Sequence, residues 1–348
     1  MKRGCIIIDA TYINQSGGRI LLELFIRRAL EGSKNSLFFY LFDKRLDPLV
    51  YSSLSKDSYM VLKPGEWSRL KAFNNLKRTK SIKSILSLNN LPPIIFGGYT
   101  VYIYFHNVFI IKTDGLGLPF RMRVGYNFKR LYIRLFNKKK YTWLTQTEGI
   151  ENRFKSSFMY NDNRMMVLPF FDDRIDQNSI KRNKRSGFIY PATGVPSKNH
   201  LFLLEVWKIL GTEYQTFPKL YLTVDCESYA PLCKEIERYT RVDNLNIENL
   251  GFISRSELQE LYDRSEFLIY PSKDESFGLP LIEGALSGLK IIGPNIDYLN
   301  QIIGPTSFID IYSTENAAHE IYRVIIGENV NESKIKIRNK IQELIAIL

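Results

Sequence analysis

The chain has 348 residues, 45% of them apolar and 24% charged, which excludes disorder for its bulk and makes it too long for one ordinary core. Its formal charge of +12 is uneven: residues 1–165 carry 28 Lys/Arg against 11 Asp/Glu, a balance of +17, and residues 166–348 carry 20 against 25, a balance of −5. That asymmetry predicts two parts, the first of which meets something anionic: nucleic acid, phospholipid or a phosphorylated substrate.

In chain order, Cys5 to Asp9 is a continuous apolar run, as expected of a buried parallel strand and far too short for a signal-peptide core. Asn14 to Gly18 is turn chemistry, and Ile20, Leu21, Leu24, Phe25 and Ala29 then recur at helical spacing. Leu37–Phe42 reads as the next strand, Trp67–Leu88 as a basic helical stretch, and Tyr99–Phe105 as a strand before His106 and Asn107. No charged residue falls between Lys83 and Lys112, but Pro92, Pro93, Gly97 and Gly98 break that stretch, so a membrane span is not expected there. Arg121–Lys140 mixes Arg130, Arg134, Lys138, Lys139 and Lys140 with Phe128, Leu131 and Leu135, and Lys181–Arg185 is a second basic segment. The first of these reads as a basic amphipathic helix, either solvated or docked on an anionic membrane.

The pattern then restarts. Gly187–Tyr190, Leu220–Val224, Asn249–Ile253, Phe267–Tyr270 and Lys290–Ile292 read as strands. Between them, His200–Leu210, residues 229–240, Glu257–Arg264 (capped by Ser256) and Pro280–Ser287 read as helices. Strands alternating with helices predict parallel sheets covered on both faces. The expected organisation is an N-terminal domain over residues 1–168, a linker over 169–185, a C-terminal domain over 186–330 and a terminal helix over 331–348. Cys5, Cys226 and Cys233 show no metal spacing, and a reducing cytoplasm without disulfides is expected.

The chemistry concentrates in Tyr270–Gly288. Gly278 permits a close backbone approach, Pro280 suits the first helical position and Gly288 suits a left-handed end. Free N–H groups at such a helix start favour an anion, and a diphosphate is the natural occupant. Glu283, expected in the first turn, can accept from both hydroxyls of a ribose, while Glu275 can reach the sugar end. Two carboxylates beside a diphosphate require a cation, for which Lys198 is the candidate.

This segment resembles the E-x7-E motif of retaining glycosyltransferases of family 4, with Glu275 and Glu283 as its two acids and Phe277-Gly278-Leu279-Pro280 between them. Gly17-Gly18 with Ile20–Leu24 is similar to that family's N-terminal glycine loop and first helix. His106 resembles its acceptor-domain histidine, Gln146–Glu148 the strand end before its linker, and Pro196–His200 the loop whose lysine binds the donor diphosphate. Many members carry an arginine five residues before that lysine; here Thr193 stands there, and Arg255 and Lys273 are candidate replacements.

The resemblance implies an α/β, GT-B architecture: two doubly wound Rossmann-like domains facing across a cleft, with the acceptor on the first and the donor on the second. It implies transfer of a sugar from a nucleoside diphosphate sugar, UDP or GDP, with retention, by a front-face route or a covalent intermediate. Glu275 and His106 would be catalytic; Lys198, Glu283, Gly278, Leu279, Gly17 and Gly18 would hold the donor. No D-x-D pair occurs, so neither a metal nor any other cofactor is expected. The implied acceptor is a polyprenyl diphosphate-linked glycan of O-antigen or capsule assembly, met peripherally at the cytoplasmic face of the membrane. A nucleotide-sugar 2-epimerase of the same fold and a basic nucleic-acid-binding protein are the alternatives. The paired acids speak against the first; the acidic second half and the lack of a recognition motif speak against nucleic acid as a partner.

Overall fold

The computed structural model describes residues 4–32, 34–95, 97–112, 118–158, 164–174, 185–328 and 330–348, and the chain divides into two units. The first comprises Met1–Lys112, Phe120–Asp172 and Arg338–Leu348. It runs β1 (Cys5–Ala10), α1 (Ser16–Glu31), β2 (Phe38–Asp43), β3 (Tyr59–Leu62), α2 (Glu66–Thr79), β4 (Ile82–Ser87), β5 (Thr100–Phe105), α3 (Phe120–Phe136), β6 (Thr142–Thr145), α4 (Glu148–Phe158) and β7 (Arg164–Val167). These strands form one parallel sheet in the order β3-β2-β1-β4-β5-β6-β7. Strands β1 and β2 are almost wholly buried on both faces, because helices cover each side of a parallel sheet. The order reverses between β1 and β4, the switch point where doubly wound sheets open a crevice at their carboxyl ends.

The second unit comprises Thr113–Pro119 and Asp173–Ile337. It runs β8 (Phe188–Tyr190), α5 (His200–Thr212), β9 (Leu220–Leu222), α6 (Ala230–Arg241), β10 (Ile247–Asn249), α7 (Arg255–Arg264), β11 (Phe267–Ile269), α8 (Leu279–Leu286), β12 (Lys290–Pro294), α9 (Asp297–Ile302), β13 (Ile303–Gly304), β14 (Ser307–Ile309), α10 (Thr314–Ile325) and β15 (Lys334–Ile335). Its main sheet is parallel in the order β10-β9-β8-β11-β12-β14, with the switch between β8 and β11.

Several expectations are corrected. Trp67–Leu88 is not one helix: α2 stops at Thr79 and the chain enters β4, where Ile85 and Leu86 are both fully buried, one on each face, between β1 and β5. The cap of α7 is Ser254, which accepts from Glu257 N while the Glu257 carboxylate accepts from Ser254 N, a capping box in place of a Ser256 cap. Cys226 and Cys233 are joined in a disulfide with Cα atoms 5.7 Å apart, because the turn into α6 folds the seven-residue interval back on itself. Residues 331–348 are not one helix: β15 belongs to the second unit, and a final helix α11 (Ile341–Ile347) packs on the first. There Ile341, Leu344, Ile345 and Leu348 join the core formed by β1 and α1, and Ser84 Oγ donates to Leu348 O at 2.8 Å. Of the predicted linker and its basic segment, residues 175–184 lie outside the described residues. Among the described residues no helix is long and apolar enough to cross a membrane.

Candidate functional site

At the switch point of the second sheet, the loop after β8 carries Lys198 and the loop after β11 carries Glu275. Adjacent strands deliver the two loops side by side, and backbone bonds stitch them together: Lys273 N donates to Ser197 O at 2.8 Å. Tyr190 OH donates to Lys198 O at 2.7 Å, fixing the first loop to its own strand. The Lys198 ammonium is ion-paired with Glu275 Oε1, their side chains 15% and 11% exposed. The same oxygen accepts from Tyr270 OH at 2.9 Å and Ser272 Oγ at 2.8 Å. Burial, with the Glu275 charge next, pushes the Tyr270 phenol well above its usual range, so it stays a donor. All three donors act on one oxygen; Glu275 Oε2 accepts none among the described residues. A fixed carboxylate with one oxygen unspent can accept a ligand hydroxyl or stabilise developing positive charge.

Helix α8 begins beyond this loop. Gly278 takes φ +67° at its N-cap, and a Cβ there would come within 2.9 Å of Leu281 Cδ1, so both the conformation and the packing favour glycine. Leu279 is the first helical residue and Pro280 the second; the proline still costs no intrahelical bond. Glu283 is thus the fifth residue, in the second turn and not the first. It accepts from Tyr262 OH at 3.3 Å and lies 3.8 Å from the Arg255 guanidinium. Arg255 therefore stands beside the second acid, while Thr193, in the loop that carries Lys198, brings no charge. Neither tyrosine, nor Ser272, is visible as a site residue in the sequence; each is a strand-end, helix or loop polar group whose target is set by the tertiary fold.

In the first unit, Gly18 and His106 come together: a Cβ on Gly18 would meet His106 Cε1 at 3.2 Å. Gly17 faces open space. His106 Nε2 lies 2.8 Å from Leu88 O and 3.1 Å from Asn90 Nδ2, and its backbone N–H donates to Asn90 Oδ1 at 2.6 Å. Burial lowers the His106 pKa to about 4, so the ring is neutral near pH 7 and suits a hydroxyl better than a phosphate charge.

The basic face is partly committed within the unit. Arg130 Nε donates to Ile110 O at 2.6 Å, Arg134 Nη2 to Ser157 O at 3.4 Å, Lys138 Nζ to Ile95 O at 2.8 Å and Lys140 Nζ to Gly97 O at 2.6 Å. Lys138, Lys139 and Lys140 lie beyond the end of α3, and Lys139 and Lys140 are exposed. Along its length α3 exposes Phe120 at 77%, Phe128 at 67% and Leu135 at 66%, while burying only Ile133.

Two parallel-sheet Rossmann-like domains, the second with paired acids and a lysine at its switch point, define an α/β protein of the GT-B type. Residues 171–343 match the family model described as glycosyl transferases group 1, so the second half of the chain is similar to that family. A 122-residue stretch is 28% identical to O-antigen chain mannosyltransferase B of Escherichia coli, covering 35% of this chain and 32% of that protein. The match thus spans about a third of that relative's own length. A glycosyltransferase from Rickettsia africae ESF-5 has the same fold, with a TM-score of 0.68 and 16% identity over 98% of this chain and 92% of that one. So does Anabaena Alr3699/HepE in complex with UDP and glucose, with a TM-score of 0.61 and 12% identity over 93% and 90%.

Proposed function

We propose that the protein moves a sugar from a nucleoside diphosphate sugar to a hydroxyl of a lipid-linked or saccharide acceptor, with retained configuration, in bacterial surface polysaccharide assembly. The observation that carries this reading is the meeting of Lys198 and Glu275 at the switch point of the second sheet, with Glu275 Oε2 unspent. The similarity to an O-antigen mannosyltransferase supports the pathway, and the fold shared with a protein holding UDP and glucose supports the donor class.

In this reading Lys198 and the N–H groups at the start of α8, including Leu279, neutralise the diphosphate, whose charge grows as its bond to the anomeric carbon breaks. Glu283 holds the ribose diol, and Glu275 faces the sugar. No metal and no other cofactor takes part. The exposed apolar and basic residues of α3 hold the protein peripherally on an anionic membrane surface, where a polyprenyl diphosphate-linked glycan is presented. Thermal stabilisation against UDP-glucose, UDP-galactose, UDP-N-acetylglucosamine and GDP-mannose tests the donor class, since a ligand of the native state raises apparent stability. Stabilisation by one base series is expected; none from any member would refute the reading.

A further inference from the structure

The first unit carries a buried charged cluster that donor chemistry does not use. Arg69, on the apolar stripe of α2, is ion-paired with Asp9 at the end of β1 at 2.6 Å, and the two side chains are 1% and 0% exposed. The guanidinium also donates to Ser87 Oγ at 2.9 Å, Leu91 O at 3.0 Å and Pro92 O at 3.1 Å. Burial opposes its charge, but the Asp9 and Glu66 carboxylates outweigh that and hold it more basic than usual. Glu66 is the member that reaches the surface, its side chain 30% exposed. Tyr12 OH donates to its Oε1 at 2.9 Å and Tyr132 OH to its Oε2 at 2.7 Å, with Arg69 Nη1 3.4 Å from both.

Two features make this a receptor and not only a strut. First, the charges do not cancel: two carboxylates face one guanidinium, and the surplus negative charge lies on Glu66. A carboxylate offers about four acceptor positions; the two tyrosines and the shared Arg69 Nη1 contact take about three, which leaves about one for a ligand hydroxyl. Second, the cluster stands at the β1/β4 switch point, where this fold class opens its crevice. There Tyr12, after β1, and Asn90, after β4, both hold left-handed backbones, at φ 70° and 67°. Tyr12 N donates to Asp43 Oδ2 at 3.1 Å, and Asn90 is locked to His106, so surrounding bonds maintain both conformations.

We infer that Glu66, positioned by Tyr12, Tyr132 and Arg69, is the residue by which the first unit selects its acceptor: it takes a neutral sugar ring through a hydroxyl donor and rejects a phosphate or uronate at that position. This rests on the glycosyltransferase reading. The test uses the full chain with the donor site filled by saturating UDP or GDP. Saturation-transfer NMR is run with methyl glycosides of mannose, glucose, galactose and N-acetylglucosamine, and with mannose 6-phosphate and glucuronate as anionic probes.

At least one neutral glycoside should bind and the anionic probes should not. In Glu66→Gln the neutral glycoside should bind about tenfold more weakly or worse, as expected when a charged hydrogen-bond acceptor is lost. The anionic probes should gain binding in that variant, which a purely structural role would not produce. Unchanged neutral binding in folded Glu66→Gln overturns the inference. Should that variant not fold, equal binding of mannose 6-phosphate and methyl mannoside by the wild type overturns it. If no glycoside binds while a nucleoside diphosphate still stabilises the protein, this inference fails alone; if the nucleotide also has no effect, the glycosyltransferase reading falls with it.

Discussion

Glu275→Gln separates the two roles assigned to the Lys198–Glu275 pair. The amide keeps the shape and can still accept from Tyr270 and Ser272, but Lys198 loses its counter-charge at a site where only 15% of its side chain is exposed. Stranding a fully buried ion costs about 3–5 kcal/mol, so about 2 kcal/mol is expected here with some solvent left. A bound diphosphate would then supply the missing negative charge, and a charge-assisted bond of that kind is worth about 1.5–3 kcal/mol. The variant should therefore melt lower than the wild type without ligand, yet bind UDP or GDP about tenfold more tightly by calorimetry. Transfer should fall by about a hundredfold or more, as when a preorganised group facing the reacting centre is removed. Unchanged or weaker nucleotide affinity in the folded variant would show that Lys198 is not the phosphate cation and that the pair is structural.

Glu283→Ala should weaken nucleoside diphosphate binding by about tenfold or more, beyond the modest destabilisation expected from leaving Tyr262 OH without its acceptor, and equal affinity in the folded variant would sink the ribose assignment. Transfer should continue at near full rate in excess chelator; loss with rescue by manganese or magnesium would reveal a metal requirement. Burial, with the Lys198 charge next, lowers the His200 pKa to about 3, against about 6.5 unfolded, so its neutral form stabilises the second unit above pH 6.5 and that stability is lost as pH falls toward 3. Denaturant unfolding followed by fluorescence of the buried Trp207 should show a loss of about 1.4 kcal/mol per pH unit over that window, and His200→Phe should flatten the slope. Co-sedimentation with anionic but not neutral vesicles, reversed by salt and weakened by neutralising Lys138, Lys139 and Lys140 or by Leu135→Ser, is expected of the α3 face; equal recovery in the supernatant with both vesicles would leave it a solvated surface.

The geometry of the Tyr270–Gly288 passage is legible because its signals are local: Gly278 and Pro280 each meet a backbone requirement at the start of α8, and the two acids lie within the same strand–loop–helix passage. What surrounds it is not. Nothing local to Tyr270 or Tyr262 says that their hydroxyls reach Glu275 and Glu283; the tertiary fold sets both contacts. The α2–β4 boundary has no local mark, because Lys80 and Ser81 contain no breaker; pairing between β1 and β5 makes Ile82–Ser87 a strand. For α7 the sequence offers two boxes of the right spacing, Ser254 with Glu257 and Ser256 with Gln259, and the fold uses the first. Arg69 lies within the basic stretch that begins at Trp67, and its register with Ala72, Phe73 and Leu76 places it on the buried face of α2.

The seating of α11 in the first unit has a consequence for how the chain is made. The hydrophobic core under α1 includes Ile341, Leu344 and Leu348, residues that leave the ribosome only after the whole second unit. During synthesis the strand β4 hydroxyl of Ser84 and the Lys34 ammonium, which donates to Ile345 O and Ala346 O, wait without these partners. The first unit emerges early yet closes late, so the second can complete its fold while the first still holds an open apolar seat. A chain cut before residue 338 would keep every group of the proposed donor site and leave that seat exposed to water or to another nascent chain.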